Sequence, residues 1–157
     1  MNKLKLFLVT LIFLFSLSAQ ASIIRGVVVK IADGDSLTLL TDSNKQIRIR
    51  LAGIDTPERK QSFGNTAKNA LVKLVFQKEV KIKVRTKDRY GRTVGIVFLG
   101  NQNVNYELVR KGMAWVYKKY TDNKLLYKLE GEAKKRRIGL WVDENPIAPW
   151  DWRRGKR

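Results

Sequence analysis

The sequence predicts an α+β domain in which five short strands can close into a small β-barrel, with about three helices between and after them. Two observations carry this. Apolar residues recur with a period of two over Ile23 to Ile54 and again over Val80 to Leu99, while intervals of three and four dominate Lys60 to Phe76 and the last third. With 157 residues and no Cys, the chain suits one domain whose single core is stable without disulfides.

The first residues read as an address rather than as part of the fold. Lys3 and Lys5 precede an almost unbroken apolar run, Leu6 to Leu17, and Ala19-Gln20-Ala21 puts small residues where a signal peptidase reads. The run is short of the roughly 20 residues a spanning helix needs, so cleavage after Ala21 is expected and an uncleaved anchor is the lesser alternative. Removing residues 1–21 takes the formal charge from +18 to +16 and leaves 22–157 as one exported domain, periplasmic or extracellular.

Within that domain Ile24 to Ile31 is rich in Val and Ile, and Ser36 to Leu40 follows the turn at Asp33-Gly34-Asp35. Gln46 to Leu51 alternates Ile47, Ile49 and Leu51 with Arg48 and Arg50. Three strands joined by short turns result. Phe63, Ala67, Ala70, Leu71, Leu74 and Val75 then form one helical face over Lys60 to Phe76. Val80 to Arg85 and Thr93 to Leu99 are two more strands, with Asp88 to Arg92 as the hairpin between them. Val104, Leu108 and Val109 mark a short helix closing near Gly112. Leu125, Leu126, Leu129 and Ala133 mark a longer one that starts near Thr121 or Asp122 and carries Gly131 inside it. The 145–157 segment holds Pro146, Pro149, Trp150 and Trp152 and could pack back on the body, while Arg153 to Arg157 reads as a solvated tail. The pattern points to a barrel of the oligonucleotide-binding kind, although strand count alone leaves other small α+β folds open.

The chemistry is narrowed by what is missing. With no His there is no imidazole base, no Ser-His-Asp triad and no His-ligated zinc. With no Cys there is no thiolate, so any metal would take oxygen ligands, which favours calcium, magnesium or manganese. Against the charge of +18, Asp33, Asp35, Asp55 and Glu58 fall in two short stretches. A basic surface attracts a polyanion, and a knot of acids inside it makes sense when a hard cation sits between them. If the first two strands form a hairpin and the third pairs beside them, Asp35 and Asp55 meet at one rim. Arg50 and Arg92 add guanidinium forks that match phosphate oxygens. Each motif alone is also ordinary turn or strand-end chemistry.

The ordered set is more specific. Asp33-Gly34-Asp35-Ser36, Arg50 to Glu58 (RLAGIDTPE), Asp88-Arg89-Tyr90-Gly91-Arg92, Val104 to Gly112 (VNYELVRKG) and Gly139-Leu140-Trp141 resemble the successive motifs of the staphylococcal nuclease (thermonuclease) family. The resemblance implies a five-stranded oligonucleotide-binding barrel with three helices, and a calcium-dependent nuclease cutting DNA and RNA to 3′-phosphate and 5′-hydroxyl ends. It places calcium on Asp35, Asp55 and the Thr56 carbonyl. Glu58 would assist the attacking water, and Arg50 and Arg92 would hold the scissile phosphate. Arg89, Tyr90 and a tyrosine after the second helix would contact substrate, and of Trp115, Tyr117 and Tyr120 the last is taken for that role.

Phosphate neutralisation gives sequence-independent, salt-sensitive affinity, and stacking favours unpaired bases, so single-stranded DNA and RNA are the expected partners of a monomer. Two rivals make different predictions. A noncatalytic secreted nucleic-acid-binding barrel would need no metal. A cationic protein acting on anionic membranes would bind lipid, yet its Lys and Arg do not outline one amphipathic helix, so no lasting membrane association is expected after signal removal.

Overall fold

The computed structural model describes residues 22–156; the expected signal segment at 1–21 lies outside the described residues. The strands are β1 (Ile23–Ile31), β2 (Ser36–Leu40), β3 (Gln46–Leu51), β4 (Ile54–Asp55), β5 (Glu79–Lys87), β6 (Thr93–Leu99), β7 (Gln102–Asn103) and β8 (Trp115–Val116). The helices are α1 (Gly64–Val75), α2 (Val104–Arg110), α3 (Lys124–Lys135) and the single turn α4 (Pro149–Trp152).

Strand β1 pairs antiparallel with β2 and β5, β2 with β3, and β5 with β6. The ring closes where β3 runs parallel to β6, with Ile49 opposite Thr93, Arg50 opposite Val94 and Leu51 opposite Gly95. The five barrel strands are the five the alternation predicts. Strands β4, β7 and β8 were not foreseen, because a two-residue ladder has no period to detect. Val28, Leu39, Ile49, Ile82 and Val97 fill the barrel and are fully buried, as are Leu71 and Val75 of α1 and Leu108 and Val109 of α2, which pack on the same core.

Helix α1 starts at Gly64, later than the apolar spacing suggests. Gln61 N–H donates to the Glu58 carbonyl at 2.8 Å and Gly64 N–H to the Gln61 carbonyl at 2.9 Å, so residues 58–63 fold as consecutive turns. Phe63 caps the helix in the left-handed region at φ 64°. Gly64 is required here: a Cβ would lie 2.0 Å from the Glu58 carbonyl oxygen. Helix α3 is capped by Asn123, whose side chain accepts from the Leu125 and Leu126 amides, rather than by Thr121 or Asp122. Gly131 does lie within it.

The C-terminal segment folds back on the body. Trp150 stacks on Tyr117 with ring centres 5.2 Å apart and meets Trp115 edge-on at 5.7 Å. Gln61 Nε2 donates to the Ile147 carbonyl at 2.6 Å. The sequence reading of Arg153 as part of a solvated tail is therefore corrected: its guanidinium reaches Asp55 and Glu58. A tail of basic residues looks solvated only until an acid cluster lies within reach.

Candidate active site

The pairing pattern builds one rim from residues far apart in sequence. Ser36 lies opposite Arg50 across β2 and β3, and Arg50 lies opposite Val94 across the parallel closure. Asp35, just before β2, and Arg92, just before β6, therefore flank the same row. The Leu51 amide donates to the Asp35 carbonyl at 2.9 Å, tying turn to strand. Gly34 presses the Asp33-Gly34-Asp35 turn against Thr56, and a Cβ there would fall 2.8 Å from Thr56 Oγ1 and from the Ala67 Cβ. Asp55 is held by β4, which pairs with β8 through Asp55 opposite Trp115.

Two carboxylates face each other at this rim. Arg50 bridges them, with Nη1 3.1 Å from Asp35 Oδ2 and Nη2 2.9 Å from Asp55 Oδ1. The acid side chains are only 6% and 3% exposed and that of Arg50 14%. Asp35 Oδ2 also accepts from the Thr56 amide at 2.8 Å and its hydroxyl at 2.9 Å. Burial pushes the Asp55 carboxyl above its ordinary value; hydrogen bonds from Arg153 pull the other way and the charge of Asp35 adds to the rise. Asp33, whose Oδ1 accepts from the Asp35 amide at 3.1 Å, is raised to about 6 by burial and by the Asp35 charge.

Glu58 stands at the entrance, about two-fifths exposed. Its amide donates to Gln61 Oε1 at 3.0 Å. Arg153 spans the two acids, with Nη1 2.6 Å from Glu58 Oε1 and Nη2 2.7 Å from Asp55 Oδ2. Burial opposes the Arg153 charge, but the hydrogen bonds to Asp55 and Glu58 outweigh it and hold the guanidinium more firmly protonated than a free arginine.

Arg92 joins the acids through Ser36. Its Nη1 donates to Ser36 Oγ at 3.3 Å, and that hydroxyl donates to Asp35 Oδ1 at 3.2 Å. Its Nε is fixed 2.7 Å from Asp88 Oδ2. Tyr90 is 60% exposed at the tip of the same hairpin, with the guanidinium carbons of Arg89 and Arg92 5.0 and 5.7 Å from its ring centre. Arg48 Nη2 donates to the Tyr90 carbonyl at 2.9 Å. Tyr120, 64% exposed, meets Tyr117 edge-on at 4.7 Å.

The family model described as Staphylococcal nuclease homologue matches residues 48–143. The chain is 44% identical over 155 residues to an uncharacterized endonuclease of Haemophilus influenzae, an alignment covering 98% of this chain and 87% of that one. It is 43% identical over 145 residues to a micrococcal nuclease of Shigella flexneri, covering 85% and 82%. It is 45% identical over 113 residues to a staphylococcal-like nuclease of Arabidopsis thaliana, covering 72% of this chain and 35% of the plant protein. The chain belongs to the staphylococcal nuclease family.

Against that family, the structure brings Asp35, Arg50, Asp55, Thr56, Glu58 and Arg92 to one rim, while Arg89 and Tyr90 lie on the hairpin beside it. The contacts of Tyr120 are with Tyr117 and Lys119, on the flank where Trp150 is docked. Sequence reasoning missed three contributors. Ser36 links Arg92 to Asp35, Gln61 shapes the Glu58 turn, and Arg153 covers the acids. Only Ser36 had a signal, its place inside the quoted motif. Among the described residues no three acidic, His or Cys side chains converge as a ready-made cage. The donor chemistry nevertheless fits a hard cation, because two buried carboxylates already share one cationic group, Arg50, and backbone oxygen and water can complete the shell.

Proposed function

We propose that this protein is a calcium-dependent phosphodiesterase that hydrolyses DNA and RNA with little sequence preference, leaving 3′-phosphate and 5′-hydroxyl ends. Family membership makes it a nuclease, a hydrolase acting on nucleic acids. The finer reading rests on one observation above others: a buried carboxylate pair bridged by Arg50, with Arg92 and Glu58 on the same rim.

In this reading Asp35, Asp55 and the Thr56 carbonyl hold the calcium, which when bound supplies charge neutralisation at the scissile phosphate. Arg50 and Arg92 grip its non-bridging oxygens and stabilise the charge that grows as phosphorus becomes pentacoordinate. Glu58 accepts a proton from the attacking water or orders that water; the water oxygen bonds to phosphorus as the bond to the 5′ oxygen breaks, and that oxygen leaves with a proton from solvent. Arg89, Tyr90 and Tyr120 contact the strand; exposed aromatic faces suit unpaired bases, so single strands are cut faster. The formal charge of +16 on residues 22–157, which is +18 less Lys3 and Lys5, supports salt-sensitive attraction to any phosphate backbone.

Export after Ala21, supported by the sequence pattern of Met1 to Ala21, and action as a monomer complete the proposal. Among the described residues no helix is long and apolar enough to cross a membrane. End analysis of the products tests the chemistry. Fragments that a 5′-kinase labels without prior phosphatase treatment are expected. Fragments already bearing 5′-phosphate would contradict the assigned leaving group.

A further inference from the structure

We propose that Arg153 is an internal competitor for the divalent cation, carried on a C-terminal strap that gives way when the cation binds; this rests on the reading of Asp35 and Asp55 as cation ligands. Both oxygens of Asp55 are taken by guanidinium groups. Arg50 holds Oδ1 at 2.9 Å from strand β3, and Arg153 holds Oδ2 at 2.7 Å from the C-terminal strap. Arg153 also claims Glu58 at 2.6 Å, the carboxylate assigned to the attacking water. A carboxylate oxygen committed to a guanidinium hydrogen bond is a poorer ligand, and a double positive charge beside Asp55 repels Arg153.

The two arginines differ in freedom. Arg50 sits on β3, is 14% exposed, and is pinned to its own strand by Nη1 donating to the Leu51 carbonyl at 3.0 Å. Arg153 is 43% exposed and follows α4, which lies outside the barrel and is held by the Trp150–Tyr117 stack and the Gln61–Ile147 hydrogen bond. Arg153 is therefore the group that leaves, and its departure frees Glu58. The strap also covers one face of Tyr117, so the same segment lies across both the acids and an aromatic surface beside Tyr120. Linkage is reciprocal: if Arg153 weakens cation binding, the cation loosens the strap by the same factor.

The test is calcium titration by calorimetry on the purified protein, Arg153→Gln and Trp150→Ala, with thermal melting in chelator and in saturating calcium. Arg153→Gln is expected to tighten calcium binding by about fivefold or more. It should melt lower than the unaltered protein in chelator, where Asp55 and Glu58 lose a partner, and calcium should close that gap. Trp150→Ala, which loosens the strap without touching an acid, is expected to tighten calcium binding in the same direction by a smaller factor and serves if Arg153→Gln does not fold. Equal or weaker calcium affinity in the variants would overturn the competition while leaving the cation site intact. Absence of binding in all three proteins, with magnesium and manganese also tried, would overturn the cation site and the competition with it.

Discussion

Replacing Arg50 by Leu removes the guanidinium that bridges two buried carboxylates, and its cost can be worked from their surroundings. Asp35 keeps the Thr56 amide and hydroxyl, and Asp55 keeps Arg153, so neither acid is stripped of every partner. Both are nonetheless almost fully covered and close enough to share a guanidinium, so their repulsion is poorly screened. Removing one member of a buried ion pair costs roughly 3–5 kcal/mol, and the partners that remain argue for the lower end, about 3 kcal/mol. With a urea m-value of roughly 2 kcal/mol per molar, the unfolding midpoint falls by about 1.5 M in chelator. Calcium should restore much of it by neutralising the pair. Arg50→Lys restores charge but not the fork, so it should recover only part of the loss. The cost should also shrink as pH falls, because Asp55, already raised by burial, takes up a proton more readily once one of its two guanidinium partners is gone. Urea unfolding with and without calcium, at neutral pH and again at acidic pH, measures all of this. A midpoint change under about 0.25 M in chelator would refute the claim that Arg50 compensates the pair.

Other expectations follow from the same geometry. Asp33 has its carboxyl raised from 3.8 to about 6, so it favours the folded state below pH 4 and that contribution is lost as pH rises through 6. Asp33→Asn keeps the acceptor for the Asp35 amide and should be more stable than the unaltered protein by about 1–2 kcal/mol at pH 8 in chelator, with the advantage fading towards pH 4 in pH-resolved melts. Ser36→Ala cuts the link from Arg92 to Asp35; we expect kcat to drop about tenfold with stability reduced by about 1 kcal/mol, measured by steady-state cleavage and by melting. Gly64→Ala drives a Cβ against the Glu58 carbonyl and should cost about 2 kcal/mol or more while lowering activity, whereas Gly131→Ala, in open space on α3, should stabilise by up to about 1 kcal/mol.

The sequence was most legible where a pattern repeats. Alternation in β1, β2, β3, β5 and β6 gave every barrel strand, and the hairpin logic brought Asp35 and Asp55 to one rim through the Ser36–Arg50 and Arg50–Val94 pairings. It was least legible where a single tertiary contact decides. Apolar spacing extends back to Phe63, but the left-handed Phe63 and the paired turns at 58–63 delay α1 to Gly64, and that delay is what shapes the loop holding Glu58. No local pattern says that Asn123 rather than Thr121 caps α3. Arg153 was illegible for the same reason: it is one basic residue among several, and only the docking of Trp150 on Tyr117 brings it to the acids.

Cleavage of denatured DNA by the purified protein, in calcium and in excess chelator and alongside Glu58→Ala and Asp35→Ala, bears most directly on the assigned site. Degradation that needs calcium, stops with chelator and is crippled in both variants is the expected result. Tight DNA binding with no cutting under calcium, magnesium or manganese would contradict it and leave a nucleic-acid-binding barrel without catalysis.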